Sequence, residues 1–230
     1  MPRTKAVAEA PASRPRKSDA TRQRILDAAA KVFRDKGYAG ARLTDIAAAA
    51  GMQAGSLYYH FASREELVEE VLRAGVEEAL EFIRREVEAL PPEAPATERL
   101  RTAIRSHLLM VLEIGDYTSA NIRILGQLPE EIRKRHLVDQ RQLGAYMQQL
   151  LEAARQAGEI RADVDLSVIR MLVFGALNWA VEWYQPGGRV TADEVANAFL
   201  AMIFEGLGTA PAKSAAARRN GTRRRETRRR

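Results

Sequence analysis

Between Gly51 and Arg64 the chain gathers side chains able to meet a polyanion. Ser56, Tyr58, Tyr59 and His60 put a hydroxyl, two phenols and an imidazole within five residues, a set suited to phosphate oxygens and base edges. Leu57 and Phe61, four apart, share the inner face of a short helix over 54–60, which turns Ser56, Tyr59 and His60 outward and Tyr58 partly so. Gly55 permits close backbone approach. Other chemistries find no comparable grouping. The 230 residues include no Cys and three His, namely His60, His107 and His136. That excludes a disulfide framework, a Cys-ligated zinc and a thiol nucleophile. There is no pair of histidines one helical turn apart, no phosphate-binding glycine loop and no nucleophile elbow. Neither catalysis nor a metal nor a cofactor is expected, and Glu69-Glu70, Glu77-Glu78 and Glu130-Glu131 read as solvated helix faces.

The polyanion-facing segment needs neighbours to hold it. Eight-residue helices are marginal in water, so those expected over 43–50 and 54–60, on either side of Gly51, must lean on a third. That third helix follows Ser18 as N-cap, with Ile25, Ala28, Ala29, Val32 and Phe33 on one face and Gly37 as its stop. Two short helices joined by a tight glycine turn and backed by a third make a helix-turn-helix unit, whose second short helix enters the major groove. Ser63 with Glu66 forms a capping box opening a long helix to Leu90, ended by Pro91-Pro92.

Helical periodicity continues to the end of the apolar sequence. Leu100, Ile104, Leu108, Val111 and Leu112 share one helix face, and a shorter helix covers 116–127. Leu143, Met147, Leu150, Leu151 and Ala154 make a stripe ending at Gly158. A helix starting at Asp163 or Asp165 is apolar nearly all round to Tyr184, and Thr191 with Glu194 caps a last helix to Leu207. No segment alternates β-branched with polar residues as strands do. The fold class is all-α, with about nine helices.

Charge divides the chain differently. Residues 1–20 carry five Lys/Arg against two acids, and residues 211–230 carry nine against one, so the overall +6 leaves the body between them near −5. The basic ends lack the apolar residues to fold. The domains expected are a basic arm over 1–18, a DNA-binding head over 19–72, a helical body over 73–208 and an Arg-rich tail over 209–230. The apolar run 171–184 is too short to span a bilayer and is interrupted by Asn178 and Glu182. A soluble, cytoplasmic protein without a membrane partner is expected.

The stretch TRQRILDAAAKVFRDKGYAGARLTDIAAAAGMQAGSLYYHFASREELVEEVL, residues 21–72, resembles the DNA-binding domain of the TetR/AcrR family of bacterial transcriptional regulators. The resemblance rests on ILDAA with Phe33 and Gly37-Tyr38, then DIA, AG at 50–51, GSLYYHF and SREEL. It implies that Gly55 and Ser56 touch bases and backbone, that Tyr58 and His60 contact phosphates and that Tyr59 lies at the base edges. Arg64 stands where the family often has a phosphate-binding Lys, and Thr44 faces the same backbone. Three positions depart from the pattern: Gln53 and Arg42 replace usual caps, and Ala54 brings no polar group where a base is often read.

The resemblance also implies a ligand-binding body that dimerises through its last two helices, a repressor of double-stranded operator DNA, and a small-molecule effector that spreads the two heads. The lever expected is the helix after Ser63. Segment 174–196 is similar to members that respond to acyl-CoA thioesters, so an acyl-CoA is the expected effector. His107, Arg170, Asn178, Trp183 and Tyr184 are the candidate ligand contacts, with Arg189 an alternative to Arg170. Trp179 and Trp183, four apart, serve equally as a dimer face, the reading preferred for Trp179. His107 shares a face with apolar residues and fits a core or pocket position. The competing function is a non-specific DNA-coating or adaptor protein acting through the Arg-rich tail.

Replacing Tyr59 with Ala is expected to relax operator preference at about 1–3 kcal/mol, while Arg64→Ala weakens binding to all sequences alike. Anisotropy titrations against the chain's own upstream DNA and scrambled DNA separate the two, and a Tyr59→Ala protein with unchanged preference contradicts the assignment.

Overall fold

The computed structural model describes residues 17–207. They form nine α-helices: α1 Lys17–Gly40, α2 Leu43–Ala49, α3 Ala54–Leu57, α4 Arg64–Glu88, α5 Ala96–Leu109, α6 Asp116–Leu125, α7 Glu130–Gln156, α8 Leu166–Trp183 and α9 Ala192–Leu207, with a π-turn over Met110–Ile114 after α5. The basic arm falls mostly, and the Arg-rich tail entirely, outside the described residues.

Two apolar cores organise these helices. One joins Ile25, Ala29 and Phe33 of α1 to Ile46, Leu57, Phe61 and the first turns of α4, through Leu72. The other joins α4 from Val76 onward to Leu100, Ile104, Met147, Leu151, Val173, Leu177 and Leu200. α4 is therefore common to both. The first core also takes in Ala120 and Ile124 of α6, Leu128, and Ile132 of α7. Segments nearly a hundred residues downstream thus close the back of the three-helix unit.

Helix ends follow local chemistry with some corrections. Ser63 caps α4 by accepting from the Glu66 N–H at 3.1 Å, and Glu66 returns by accepting from the Ala62 N–H at 2.6 Å. Before α9 the box closes on the cap itself: Glu194 accepts from the Thr191 N–H at 2.8 Å and the Thr191 hydroxyl from the Glu194 N–H at 3.2 Å. Asp165 caps α8, accepting from Ser167 N–H at 2.8 Å. Ser18 is not the cap expected, because α1 already begins at Lys17. Gly37 interrupts α1 at φ 70°, ψ 177°, after which the chain runs on to Gly40. Helix α4 stops at Glu88, two residues before Leu90. The face through Leu112 is not one continuous α-helix. It widens into the π-turn, closed by Gly115 N–H on the Met110 carbonyl at 2.9 Å, while the Ser119 hydroxyl of α6 lies 2.7 Å from the Val111 carbonyl.

α4 and α6 cross at very close range. A Cβ on Gly75 would sit 2.5 Å from Asn121 Nδ2 and 2.8 Å from the Tyr117 carbonyl oxygen, so only glycine fits. The side chains there bond α4's own backbone: Asn121 Nδ2 donates to the Leu72 carbonyl at 2.6 Å and the Thr118 hydroxyl to the Gly75 carbonyl at 3.2 Å. Gly75→Ala is expected to lower stability by about 1–3 kcal/mol through overpacking. Gly55→Ala, whose Cβ meets nothing within 4 Å, leaves it unchanged or slightly raised; urea denaturation of the two variants makes the comparison.

Candidate nucleic-acid interface and ligand cavity

At the head, Gly51 turns the chain between α2 and α3 with φ +68°, and no neighbour crowds the position of its missing Cβ. The backbone conformation alone demands glycine there. Met52 N–H reaches back to the Ala47 carbonyl at 2.9 Å and Gly51 N–H to Ala48 at 3.1 Å, closing the C-terminus of α2. At its other end Arg42 offers no side-chain cap. Its N–H donates instead to Asp45 at 3.3 Å, and Lys36 Nζ lies 3.0 Å from the same carboxylate. Those partners, Lys36 first, hold the Asp45 carboxyl below its ordinary range. Thr44 is exposed on this first turn.

α3 is shorter than the 54–60 helix expected. Regular bonding covers Ala54–Leu57, after which His60 N–H and Phe61 N–H both close on the Leu57 carbonyl at 2.9 and 3.0 Å. The tightened final turn changes which side chains lie outermost. Tyr59 is 89 % exposed; Tyr58 is exposed as well, more than partly turned, while Ser56 and His60 are half-buried. Leu57 and Phe61 are buried as the spacing requires. Gly55 is exposed, with open space in front of it.

Arg64 is turned inward. Its Nη2 donates to the Tyr38 carbonyl at 2.5 Å and to Ala41 at 3.3 Å, and its guanidinium lies 4.0 Å over the Tyr38 ring. A phosphate contact from Arg64 competes with these bonds, so its removal costs stability as well as charge. Sequence reasoning missed Arg22. Its guanidinium sits 4.5 Å over the Phe61 ring and donates to Glu70, joining α1, the turn after α3 and α4. No periodicity relates residues 22, 61 and 70; only folding brings them together.

Behind the head, α4–α8 enclose a cavity of about 410 Å³. His107, Arg170 and Asn178 line it, whereas Trp183 and Tyr184 do not. Trp183 lies about 140° around α8 from Asn178, at 100° per residue, and points to solvent. Tyr184 donates to Glu113 at 2.8 Å. Arg189 is exposed on the loop before α9. Gly75, Thr118, Asn121 and Gln140 also form the walls, and no spacing signals them because they belong to three separate helices.

Burial sets the electrostatics of this cavity. His107 is driven down to about 4 by desolvation, only partly offset by Asn178 Oδ1 at 3.5 Å from its Nε2. It is neutral at physiological pH, stacked edge-on against Phe174 at 5.3 Å, with its Nδ1 unbonded. Arg170 Nε is also buried without a partner. Among the described residues no carboxylate lines the cavity, while Arg141 adds a second guanidinium. A buried guanidinium nitrogen without a partner leaves a hydrogen-bond donor unmet on this wall.

Residues 25–71 match the family described as bacterial regulatory proteins, tetR family, and residues 93–207 match its tetracyclin repressor-like C-terminal domain. The HTH-type transcriptional repressor KstR2 of Rhodococcus jostii is 32 % identical over 198 residues, which span 82 % of this chain and 91 % of that protein. This chain belongs to the TetR family. It is a DNA-binding transcriptional regulator, not an enzyme. The fatty acid metabolism regulator protein of Bacillus subtilis is 26 % identical over 191 residues, covering 80 % of this chain and 93 % of that one. The crystal structure of AibR in complex with isovaleryl coenzyme A and operator DNA superposes with a TM-score of 0.70 at 27 % identity, covering 79 % and 97 % of the two chains. In this TetR-family chain, then, α2, the Gly51 turn and α3 lie within the matched DNA-binding region, and the exposed tyrosine turn follows α3 directly.

The depressed His107 pKa carries a pH dependence. The unfolded imidazole, near 6.5, binds a proton that the folded one refuses until about 4, so stability is full above pH 6.5 and falls as pH drops through that window. Between pH 7 and pH 5 the His107 contribution is on the order of 2 kcal/mol. Urea unfolding at both pH values is expected to show His107→Gln losing less stability than the parent; equal losses contradict the buried neutral imidazole.

Proposed function

We propose that this regulator is a repressor that holds its operator as a homodimer and releases it when an anionic acyl thioester, an acyl-CoA, enters the cavity. The observation that carries the reading is the unpaired Arg170 in a cavity without a carboxylate, beside the apolar wall of Val76, Leu143 and Phe174. A cavity of about 410 Å³ suits a small acyl group and its thioester, leaving the nucleotide part outside. The repressor KstR2, the fatty acid metabolism regulator and AibR with its isovaleryl coenzyme A support the same reading.

The route from cavity to head runs through α6 as much as through the α4 lever. Thr118, Asn121, Ile122 and Leu125 line the cavity, while Ala120 and Ile124 pack in the head's core. Between them Tyr117 donates to Asp27 of α1 at 2.6 Å, and Gln23 of α1 donates to the Tyr117 hydroxyl at 3.0 Å. A ligand that displaces α6 therefore shifts α1 directly, and operator DNA must oppose that ligand reciprocally. The assigned parts are the arm 1–18, the head 19–72, the body 73–208 and the tail 209–230, with the junction inside α4 between Leu72 and Arg73. The head contacts are Thr44, Gly55, Ser56, Tyr58, Tyr59, His60 and Arg64.

The dimer rests on α8 and α9. Trp179 is 67 % exposed, and Val168, Met171, Leu172, Trp183 and Met202 are exposed beside it. Among the described residues α8 is the one helix long and apolar enough to cross a membrane, yet its Arg170 and Asn178 face the cavity. One apolar stripe on a helix otherwise packed against its own chain is an interface for a symmetric copy.

Anisotropy of labelled upstream DNA, with isovaleryl-CoA and longer acyl-CoAs as titrants, tests this. Acyl-CoA is expected to release the parent, and Arg170→Met to keep operator affinity while needing at least tenfold more ligand. Release that is indifferent to Arg170 removes the proposed anion contact. Loss of operator preference on deleting 211–230 favours the non-specific reading through the tail.

A further inference from the structure

Gly144 stands midway along α7 with no backbone reason to be glycine. It is buried, yet it is not among the glycines of positive φ, which are Gly37, Gly51, Gly158 and Gly187. A helix interior also disfavours it, because glycine holds a helix less well than any residue except proline. Space supplies the reason. A Cβ at 144 would lie 2.9 Å from Nη1 of Arg170 and 3.9 Å from its Cζ. Among the described residues beyond its chain neighbours, Arg170 is the one side chain that comes so near.

α7 holds the guanidinium at this place without bonding its Nε–H. Gln140 and Gln148 stand one helical turn either side of Gly144, and both turn to their own helix. Gln140 Nε2 lies 2.9 Å from His136 Nε2, and Gln148 donates to Glu152 at 3.0 Å. Gln148 Oε1 accepts from no donor, and Arg170 Nε is buried with no partner. Gly144, Gln140 and Arg170 all line the cavity. The cation is therefore located by contact with a bare stretch of helix, and its buried donor is left over.

We propose that Gly144 is a positioning residue for the effector: its missing side chain is the seat of the Arg170 guanidinium, and a side chain there turns the cation away from the anionic group of the ligand. The inference rests on the effector reading above and deepens it, naming the residue that sets where the charge stands. Nη1 is the far end of a flexible side chain, so a methyl group at 144 displaces it rather than the helix. A guanidinium that swings inward takes space from the acyl part. One that swings outward loses the anion. Either movement weakens an anionic ligand, and neither breaks the fold.

A double-mutant cycle tests this. The parent, Gly144→Ala, Arg170→Met and the double variant are titrated with isovaleryl-CoA and longer acyl-CoAs, by calorimetry and by release of labelled upstream DNA. Gly144→Ala is expected to keep operator affinity and to need about tenfold more ligand, the scale of one hydrogen bond to a charged group. Its urea midpoint stays level or rises, since alanine suits a helix interior better. Arg170→Met needs more ligand to a similar degree, and the double variant needs no more than Arg170→Met alone. A second readout requires no ligand: the Arg170 Nε–H signal in the nitrogen–proton correlation spectrum, identified by its absence from Arg170→Met, moves in Gly144→Ala.

An unchanged ligand requirement in Gly144→Ala, or an unmoved Arg170 signal, overturns the seat while leaving the effector reading intact. So does a Gly144→Ala effect of equal size with and without Arg170, which marks lost cavity space alone. If Gly144→Ala lowers the urea midpoint and Arg170→Met restores it, the guanidinium sits where proposed; a fall that Arg170→Met does not restore assigns Gly144 to packing and overturns the proposal. A parent that none of these acyl-CoAs releases, or whose release ignores Arg170→Met, removes the effector reading itself and this inference with it.

Discussion

Where α4 and α6 cross, two buried side chains of one helix are bonded to the backbone of the other. Asn121 and Thr118 take the Leu72 and Gly75 carbonyls, and Gly75 leaves no room for a Cβ between them. A buried amide or hydroxyl without its partner costs about 1–3 kcal/mol, so the crossing is held in one register and resists sliding. Everything on either side inherits that register. Upstream, α4 runs into the core of the head; downstream, the same two side chains form part of the cavity wall. In the proposed mechanism, a ligand that fills the cavity presses on the contact that fixes the head's position.

The electrostatics of the joint reinforce this view. Asp27 of α1, Glu78 of α4 and Asp116 of α6 approach one another around Tyr117, and desolvation followed by the Asp116 and Asp27 charges raises the Glu78 carboxyl above its usual range. Glu78 Oε2 finds no partner, while Arg34 neutralises Asp116 and the Tyr117 hydroxyl bonds Asp27. The joint thus gathers three carboxylates with Arg34 as the cation bonded to one of them. At the opposite edge, Arg22 bonds Glu70 and holds the Glu70 carboxyl below its usual range, binding α1 to α4 within the head. The head is thus tied together across α1 and α4, and the joint is where it meets the body.

The cavity follows the same logic of unmet demand. His107 is kept neutral and Arg170 Nε kept without a partner at one cavity, and the unmet donor costs folding free energy that a bound acceptor would recover. The tightest constraint on its occupant is charge rather than volume. An apolar molecule fills the space but leaves Arg170 unanswered; an anionic one answers it.

Local spacing decided much of the architecture. Ile25, Ala29 and Phe33, the Ser63–Glu66 cap and the glycine at 51 settle helices and turns through contacts within a few residues, and the head is legible because its parts are contiguous. The tyrosine turn was legible too, with Tyr59 outermost, although Tyr58 came further out and Ser56 and His60 further in once the final turn of α3 tightened. His107, Arg170 and Asn178 could be named as polar residues on apolar helices, yet nothing in their spacing places them in one cavity. Trp183 and Tyr184 show the converse, since an apolar or aromatic type near the right residues does not settle which side of a helix it occupies. The inward turn of Arg64, the Arg22–Glu70 pair and the α6 crossing all join residues far apart along the chain. Periodicity determined what each helix is and which stripe it must bury; only tertiary packing decided which stripes meet, and so where a buried charge is left waiting for a partner.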